Sequence, residues 1–340
     1  MNIAERIALL HALGERLRAR SDEYLVATVK RTALHNGWFT EESQWQAIDA
    51  IASQMLDAEK LRQWLSHYDW PSTVTPRKVG LVMAGNLPLV GFHDVLCVFA
   101  AGHHAVVKLS DKDPYLLPAL WRILRNLDDR AAAYYSEVER LQQFDAVIAT
   151  GSNNAARYFE AYFGKYPHII RKNRHAVAVL DGKETPAELR ALGRDIFDFF
   201  GLGCRNVAKL YLPKGYDFEP LLEALHEYRA IVNHTKYKNN FDYNYALYIL
   251  NKVDFKANGC ILLREEKALQ SAIATLHYGY YEELDALATE LYAKADEIQL
   301  VVSHAELPGW KTYPLGHAQQ PALDDYADGV DTLRFLASII

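Results

Sequence analysis

Polar residues follow three short apolar runs in the first half of the chain, at points where a ligand could be held. An amide, a cation, a hydroxyl and backbone N–H groups are the groups that bind phosphates, ribose hydroxyls or a developing oxyanion. Taken singly, each segment also has a structural explanation as a turn, a solvated strand end or a helix cap. Because the three segments come in succession, we favour a ligand site. Its residues are Gly85 and Asn86, then Lys108, Ser110 and Asp111, then Gly151 and Ser152.

The second feature that could do chemistry is Cys204. It follows Gly201-Leu-Gly203 and precedes Arg205, whose positive charge favours a thiolate. A thiolate in this setting can act as a nucleophile, although a core thiol is the ordinary explanation for a single cysteine. Cys97 and Cys260 lie in apolar runs and are predicted to be core thiols. Three cysteines without a C-x-x-C pair do not make a disulfide scaffold.

Other motifs of known chemistry fail on inspection. Gly164-Lys165 lacks the first glycine and the Ser or Thr of a P-loop, and Gly201-Leu-Gly203 lacks the third glycine of a dinucleotide fingerprint. No histidine and cysteine cluster has metal-ligand spacing, and there is no G-x-S-x-G elbow. Four acids, Asp324, Asp325, Asp328 and Asp331, fit turn and cap roles better than a cation site. We therefore predict no metal and no serine hydrolase chemistry.

The elements that would position these residues are short strands alternating with helices. Unbroken aliphatic runs of this length are typical of strands covered on both faces, and the stretches between them are long enough for crossover helices. We therefore predict an α/β fold with a parallel, Rossmann-like sheet whose carboxyl edge collects the polar residues. The runs are Val79 to Ala84, Ala105 to Leu109, Ala146 to Ala149 and Ala176 to Leu180.

Helices and a break are predicted around this sheet. Apolar residues at helical spacing and the cap at Thr40 predict helices in residues 1–70, and two prolines predict a break at residues 71–76. A further helix is predicted over residues 189–200 and a strand over residues 207–212, on either side of Cys204. A domain boundary is placed at residues 171–173, and a length of 340 residues agrees with two domains.

Composition narrows the class of protein. Half of the residues are apolar and 24% are charged, which excludes a disordered chain. A formal net charge of -6 argues against a nucleic-acid partner. Glu5 and Arg6 interrupt what would be a signal-peptide core, and Asp94 with several histidines interrupts the most apolar stretch, Leu87 to Val107. We expect a cytoplasmic protein without membrane insertion.

Five segments, in this order, resemble the aldehyde dehydrogenase superfamily. The resemblance is closest to its acyl-CoA reductase branch, the LuxC-type enzymes that reduce fatty acyl thioesters to aldehydes. It extends from about Val79 to Phe335, and the order of the segments is more specific than any one of them. The segments are VMAGNLPLVGFHD from Val82, VVKLSDKDP from Val106, IATGSNNAARYF from Ile148, FFGLGCRNVAKLYLP from Phe199 and YPLGHAQQP from Tyr313.

The resemblance implies catalytic roles. Cys204 would be the nucleophile that forms an acyl-enzyme thioester, and Asn86 with the Cys204 backbone N–H would form the oxyanion hole. Ordinary aldehyde dehydrogenases carry a glutamate that activates water for deacylation, but the matching stretch here, Ile170 to Arg174, has no carboxylate. Its absence disfavours hydrolysis and suits an enzyme that keeps the thioester for reduction. The general acid is unidentified, with His175 and His234 as candidates.

The resemblance also implies a nicotinamide cofactor. Asp111 would accept hydrogen bonds from a ribose diol and repel a 2'-phosphate, whereas Lys112 could hold that phosphate. Because the LuxC-type branch generally uses NADPH, the resemblance implies NADPH, with NADH as the alternative. Cofactor contacts are implied for Lys108, Ser110, Asp111, Gly151 and Ser152.

These expectations combine into one functional hypothesis. The implied fold has N-terminal helices and a cofactor domain in residues 1–172, a catalytic thiol domain in residues 173–320, and a segment in residues 321–340 that returns to the first domain. The predicted reaction is reduction of a long-chain acyl-CoA or acyl-carrier thioester to the aldehyde, by an enzyme that could form a homo-oligomer. The alternatives are a conventional aldehyde dehydrogenase and a non-catalytic cofactor-binding or acyl-CoA-binding protein.

Overall fold

Two units make up the chain in the computed structural model, which describes residues 1–71 and 75–339. The first unit combines Met1–Asn173 with Pro321–Ile340, and the second unit is Arg174–Gln320. The break predicted at residues 71–76 lies partly outside the described residues. The roles of cofactor binding and thiol catalysis remain predictions for these two parts of the chain.

Helices make up most of residues 1–65, as the apolar spacing predicts. Leu10, Leu13 and Leu17 are buried on one face of the first helix. The Thr40 side chain accepts a hydrogen bond from the Ser43 backbone N–H at 3.1 Å, which confirms the predicted cap. The helices are α1 (Ile3–Ala19), α2 (Glu23–His35), α3 (Glu41–Ala50) and α4 (Ala58–Leu65).

A five-stranded parallel sheet forms the core of the first unit in the described residues. Its strand order is β3-β2-β1-β4-β5, so the order reverses at β1 and the carboxyl ends of β1, β2 and β4 are adjacent. Helices form the crossovers from the first strand to the second, from the second to the third and from the fourth to the fifth. The strands are β1 (Lys78–Val82), β2 (His104–Lys108), β3 (Tyr135–Glu137), β4 (Ala146–Thr150) and β5 (His168–Arg171), and the helices are α5 (Phe92–Ala101), α6 (Leu116–Leu127) and α7 (Asn153–Phe163).

A mixed sheet forms the core of the second unit. Its order in the described residues is β12-β11-β6-β7-β10-β9-β8, and β8 alone in this order pairs antiparallel to its neighbour. The strands are β6 (His175–Val179), β7 (Val207–Pro213), β8 (Lys256–Ala257), β9 (Leu262–Glu265), β10 (Thr275–Tyr281), β11 (Ile298–Ser303) and β12 (Thr312–Tyr313). The helices are α8 (Pro186–Phe197), α9 (Glu219–His226), α10 (Thr235–Leu250) and α11 (Leu284–Tyr292).

One predicted strand belongs to a different sheet from the one expected. The run from Ala176 to Leu180 was placed with the other three runs, but it is β6 and pairs with β7 and β11. Only residues 172–174 separate β5 from β6, which is too short for the crossover that parallel neighbours in one sheet require. The helix predicted over residues 189–200 is real but ends at Phe197.

The last described residues pack on the first unit. Helix α12 (Thr332–Ser338) lies against α5, and Asp331 caps it by accepting from the Arg334 backbone N–H at 2.9 Å. The Trp64 indole donates to the Tyr326 hydroxyl at 2.8 Å, on the same segment. None of the helices in the described residues combines the length and apolar character needed to cross a membrane.

Candidate functional site

The loops that follow β1 and β2 pack against each other at the carboxyl edge of the first sheet. The Met83 backbone N–H donates to the Lys108 carbonyl at 3.1 Å. A Cβ atom at residue 85 would lie 2.2 Å from Ser110 Oγ, so only glycine fits there. The structure therefore brings together two of the predicted segments, Gly85-Asn86 and the segment from Lys108 to Asp111, and it leaves the Asn86 side chain exposed.

Asp113 ties these two loops together. Its Oδ2 atom accepts from the Leu89 backbone N–H at 2.8 Å, and Leu89 has a left-handed backbone with φ of 56°. Asp113 is 7% exposed, and this burial raises the pKa of its carboxyl to about 6. Sequence reasoning did not single out Asp113, because its partner lies 24 residues away on another loop.

Residues at the end of α2 bond to the backbone of the loop that follows β2. A ring nitrogen of His35 lies 2.7 Å from the Asp111 carbonyl, and the Asn36 amide donates to the Lys112 carbonyl at 3.1 Å. Both bonds use backbone oxygens, so the side chains of Asp111 and Lys112 are not consumed by them, and both residues are exposed. The N-terminal helices thus position the acid and the cation on which cofactor choice was predicted to depend.

The third predicted segment lies at the end of β4, next to β1. A Cβ atom at residue 151 would lie 2.9 Å from both Ala155 Cβ and a ring carbon of Phe159, so the glycine allows close packing of the loop on α7. Ser152 Oγ accepts from the Ala155 backbone N–H at 3.2 Å, which confirms the structural explanation as a helix cap. The positive end of the α7 dipole is therefore at the same sheet edge as Gly85.

The stretch that lacks a carboxylate begins at the end of β5. Arg171 Nη1 donates to Asp94 Oδ2 at 2.5 Å, and Nη2 donates to Thr332 Oγ1 at 2.9 Å. Both charged side chains are buried. Arg171 is therefore a structural residue that joins β5 to α5 and α12, a role that the sequence did not reveal.

The cysteines divide as predicted. Cys97 and Cys260 are fully buried, and burial raises the pKa of the Cys260 thiol to about 11 and that of Cys97 well above its usual value. Cys204 is half-buried and lies in the turn between α8 and β7, in the second unit. Cys204 is therefore the thiol with access to solvent.

A buried amide holds the turn that carries Cys204. Asn206 Oδ1 accepts from the Gly203 backbone N–H at 2.8 Å, and Nδ2 donates to the carbonyls of Asp195 at 3.0 Å and Asp198 at 2.9 Å. Asn206 is 3% exposed. Its side chain thus connects the turn to the end of α8, and its type and position gave no earlier signal.

Asp195 connects the same helix to the segment at residues 316–318. Its two oxygens accept from the backbone N–H groups of Gly316 at 2.6 Å and Ala318 at 2.9 Å. Arg205 Nε donates to the Ala318 carbonyl. Burial raises the pKa of the Asp195 carboxyl to about 6, although these two N–H groups oppose the shift.

The two candidate acids have different surroundings. His175 begins β6, and burial lowers the pKa of its ring below the usual value. The His234 ring packs on Phe200, four residues before Cys204, with ring centroids 4.2 Å apart. Nδ1 of His234 accepts from the Tyr237 backbone N–H at 3.3 Å and so caps the start of α10.

No group of three or more metal-ligating side chains occurs in residues 1–71 and 75–339.

Comparison with known proteins adds a sequence relationship. The long-chain acyl-protein thioester reductase of Vibrio harveyi is 21% identical over 302 residues, which is 78% of this chain and 62% of that protein. The chain thus spans about six tenths of the length of the curated relatives that it matches. No family model matches the chain.

Solved structures establish the fold. The indole-3-acetaldehyde dehydrogenase AldA of P. syringae, solved with NAD+, has a TM-score of 0.66 at 13% identity and covers 93% of this chain and 79% of its own. Aldehyde dehydrogenase 21 of Physcomitrella patens has a TM-score of 0.67 at 12% identity, over 100% of this chain and 84% of its own. The chain has the aldehyde dehydrogenase fold, as predicted, and the resemblance to LuxC-type reductases is confirmed.

Proposed function

We propose that this chain reduces an acyl thioester, in the form of long-chain acyl-CoA or an acyl carrier, to an aldehyde through a covalent thioester on Cys204. The observation that carries the proposal is that Cys204 is the accessible thiol and lies on a turn fixed by buried hydrogen bonds. The similarity to a long-chain acyl-protein thioester reductase supports the substrate class.

In the first step the Cys204 thiolate attacks the thioester carbonyl. The new C–S bond forms, the carbonyl oxygen takes negative charge, and the donor leaves as a thiolate when its own C–S bond breaks. Asn86 and the Cys204 N–H donate to the oxygen as the charge develops. His175 and His234 are the two candidates for the group that protonates the leaving thiolate.

The carboxyl edge of the first sheet fits a nicotinamide cofactor. Gly85 and Gly151 allow the loops after β1 and β4 to pack closely at this edge, and the N-terminus of α7 favours a pyrophosphate. Lys108, Ser110 and Asp111 lie on the neighbouring loop and would hold the ribose, with Lys112 available to a 2'-phosphate. When bound, such a cofactor supplies hydride to the acyl-enzyme carbonyl. We propose NADPH ahead of NADH on the strength of Lys112.

The missing carboxylate in residues 170–174 supports release as aldehyde over release as free acid. Hydrolysis of the acyl-enzyme needs a base that activates water, and residues 170–174 supply no carboxylate. Arg171 in that stretch is held by Asp94 and Thr332. Once hydride has been added to the acyl-enzyme carbonyl, cleavage of the C–S bond to Cys204 would free the aldehyde and return the thiolate.

The test is intact-protein mass spectrometry after incubation with a long-chain acyl-CoA, with and without NADPH. We expect an acyl adduct on Cys204 that disappears with NADPH as aldehyde forms, and no adduct on Cys204→Ala. Cys260→Ala is the matched control and keeps the adduct. Free acid as the product of aldehyde and NAD(P)+ would favour a conventional aldehyde dehydrogenase, and reductase activity in Cys204→Ala would overturn the proposal.

A further inference from the structure

The chain reaches Cys204 through a strained path. Phe199, Phe200 and Gly201 have φ angles of 52°, 60° and 74°, so three successive residues are left-handed. For a residue other than glycine this conformation costs about 1–2 kcal/mol, and it persists only where surrounding contacts hold it. The turn before Cys204 therefore depends on partners outside itself.

Asn206 bonds to backbone groups on both sides of this left-handed stretch. Its three hydrogen bonds link Gly203, just before Cys204, to the carbonyls of Asp195 and Asp198, at the end of α8. Since the amide is buried, its bonds are not exchanged for bonds to water. A smaller side chain at this position would leave the Gly203 N–H and two carbonyls without these bonds.

Asp195 acts on Arg205, the residue after Cys204, through a second set of hydrogen bonds. Its carboxylate orders the backbone at Gly316 and Ala318, and the Ala318 carbonyl in turn accepts from Arg205. The Arg205 guanidinium also lies 5.4 Å from the centre of the Tyr313 ring. The residues on either side of Cys204 are thus tied to α8 by two buried side chains.

We propose that Asp195 and Asn206 are positioning residues that hold the Cys204 thiol and its backbone N–H in the arrangement needed for acyl transfer. This inference rests on the proposed function. Neither side chain takes part in bond making, and both act through the turn. Because attack needs the sulfur aligned with the carbonyl, a small displacement of the turn slows acylation more than it weakens binding.

The experiment compares Asn206→Ala and Asn206→Ser with Asn244→Ala. Asn244 is the matched control, because it is also buried, belongs to the same unit and donates to a backbone carbonyl, that of Ile273, at 3.0 Å. Each protein is mixed with acyl-CoA, and the rate of adduct formation is followed by quenched-flow mass spectrometry over a range of concentrations. Thermal unfolding is recorded for every variant.

The expected result is a fall of about 100-fold in the maximal acylation rate of Asn206→Ala, with a half-saturating concentration changed by less than about threefold. Asn206→Ser keeps a hydroxyl that can accept from Gly203 and guards against a failure of the alanine variant to fold. Asp195→Asn is expected to show the same pattern, because its amide nitrogen would face a backbone N–H. If Asn206→Ala and Asn244→Ala slow acylation equally, the inference is wrong.

A second readout separates this inference from the proposed function. Alkylation of Cys204 by iodoacetamide is measured against pH in the same proteins, without any acyl donor. We expect the pH profile to shift in Asn206→Ala and to stay unchanged in Asn244→Ala, because the turn sets the surroundings of the thiol. If wild type forms no acyl adduct, the proposed function fails, whereas an unshifted alkylation profile overturns the positioning inference.

Discussion

Asp94 and Arg171 form a buried ion pair in the first unit, with an N–O distance of 2.5 Å and side chains 8% and 6% exposed. The pair joins α5 to the end of β5, and Thr332 of α12 accepts from the same guanidinium. Three segments that are distant in sequence therefore meet at one cation.

Removal of this cation is expected to destabilise the first unit. Arg171→Met leaves the Asp94 carboxylate buried without its partner and should lower the free energy of unfolding by about 3–5 kcal/mol. Arg122→Met is the control, since Arg122 pairs with Asp22 at 3.8 Å on the surface and should cost less than about 1 kcal/mol. Urea denaturation measures both. Equal losses in the two variants would contradict a special role for the buried pair.

Thiol labelling should find one reactive cysteine in the native chain. Cys204 is half-buried, whereas Cys97 and Cys260 are fully buried with raised thiol pKa values. We expect a maleimide probe to modify Cys204 alone until denaturant is added, as read by peptide mass mapping. Modification of Cys260 before Cys204 in native protein would refute the assignment.

Asn86→Ala should lower aldehyde formation by about 100-fold to 1,000-fold if its amide stabilises the oxyanion. Binding of the thioester should change little, because the charge on oxygen develops only during reaction. Asn126→Ala, at an exposed position on α6, is the control and should keep full activity. Steady-state kinetics with acyl-CoA gives the comparison, and a change confined to KM would exclude this role.

Asp113 should make stability depend on pH. Its pKa is about 6 in the folded chain against an ordinary value of 3.8, so the folded chain holds a proton that the unfolded chain has lost between these values. The free energy of unfolding therefore falls as pH rises from about 4 to about 6, by up to about 3 kcal/mol from this group. Asp113→Asn keeps an acceptor for the Leu89 N–H and should flatten the profile. Urea titrations at pH 4.5 and 7 test this, and an unchanged difference would contradict it.

Cofactor choice should depend on the two exposed side chains of the β2 loop. Lys112→Ala should reduce the preference for NADPH over NADH by about tenfold, and Asp111→Ser should raise it by a similar factor, since a charged contact of about 1.4 kcal/mol is involved. Lys165→Ala removes an exposed cation elsewhere in the same unit as a control. The ratio of kcat/KM values for the two cofactors is the measurement. A ratio unchanged in all three variants would remove Lys112 from the site.

The sheet edge was predictable because its signals are local. Each short aliphatic run ends in residues of fixed conformational or hydrogen-bonding type, so Gly85, Lys108 and Gly151 could be placed at strand ends before any contact was known. Parallel strands then bring those ends together. The Ser152 cap is equally local, since its partner lies three residues away.

The residues that hold the site could not be predicted, because their partners are distant. Asp195 meets Gly316 across 121 residues, and Arg171 meets Thr332 across 161. Nothing in the neighbourhood of a single Asp or Arg indicates such a partner. Strand β3 (Tyr135–Glu137) was not predicted for a different reason. Its polar sequence lacks the aliphatic pattern that indicates a buried strand.

The return of residues 321–339 to the first unit has a consequence for folding during synthesis. The second unit is continuous in sequence and can fold as soon as residue 320 has left the ribosome. The first unit begins earlier but is incomplete until residues 321–339 are made, because Tyr326 and Thr332 supply partners for Trp64 and Arg171. Until they arrive, the α5 surface on which α12 packs stays uncovered. The first unit is therefore synthesised first but completed only after the second unit.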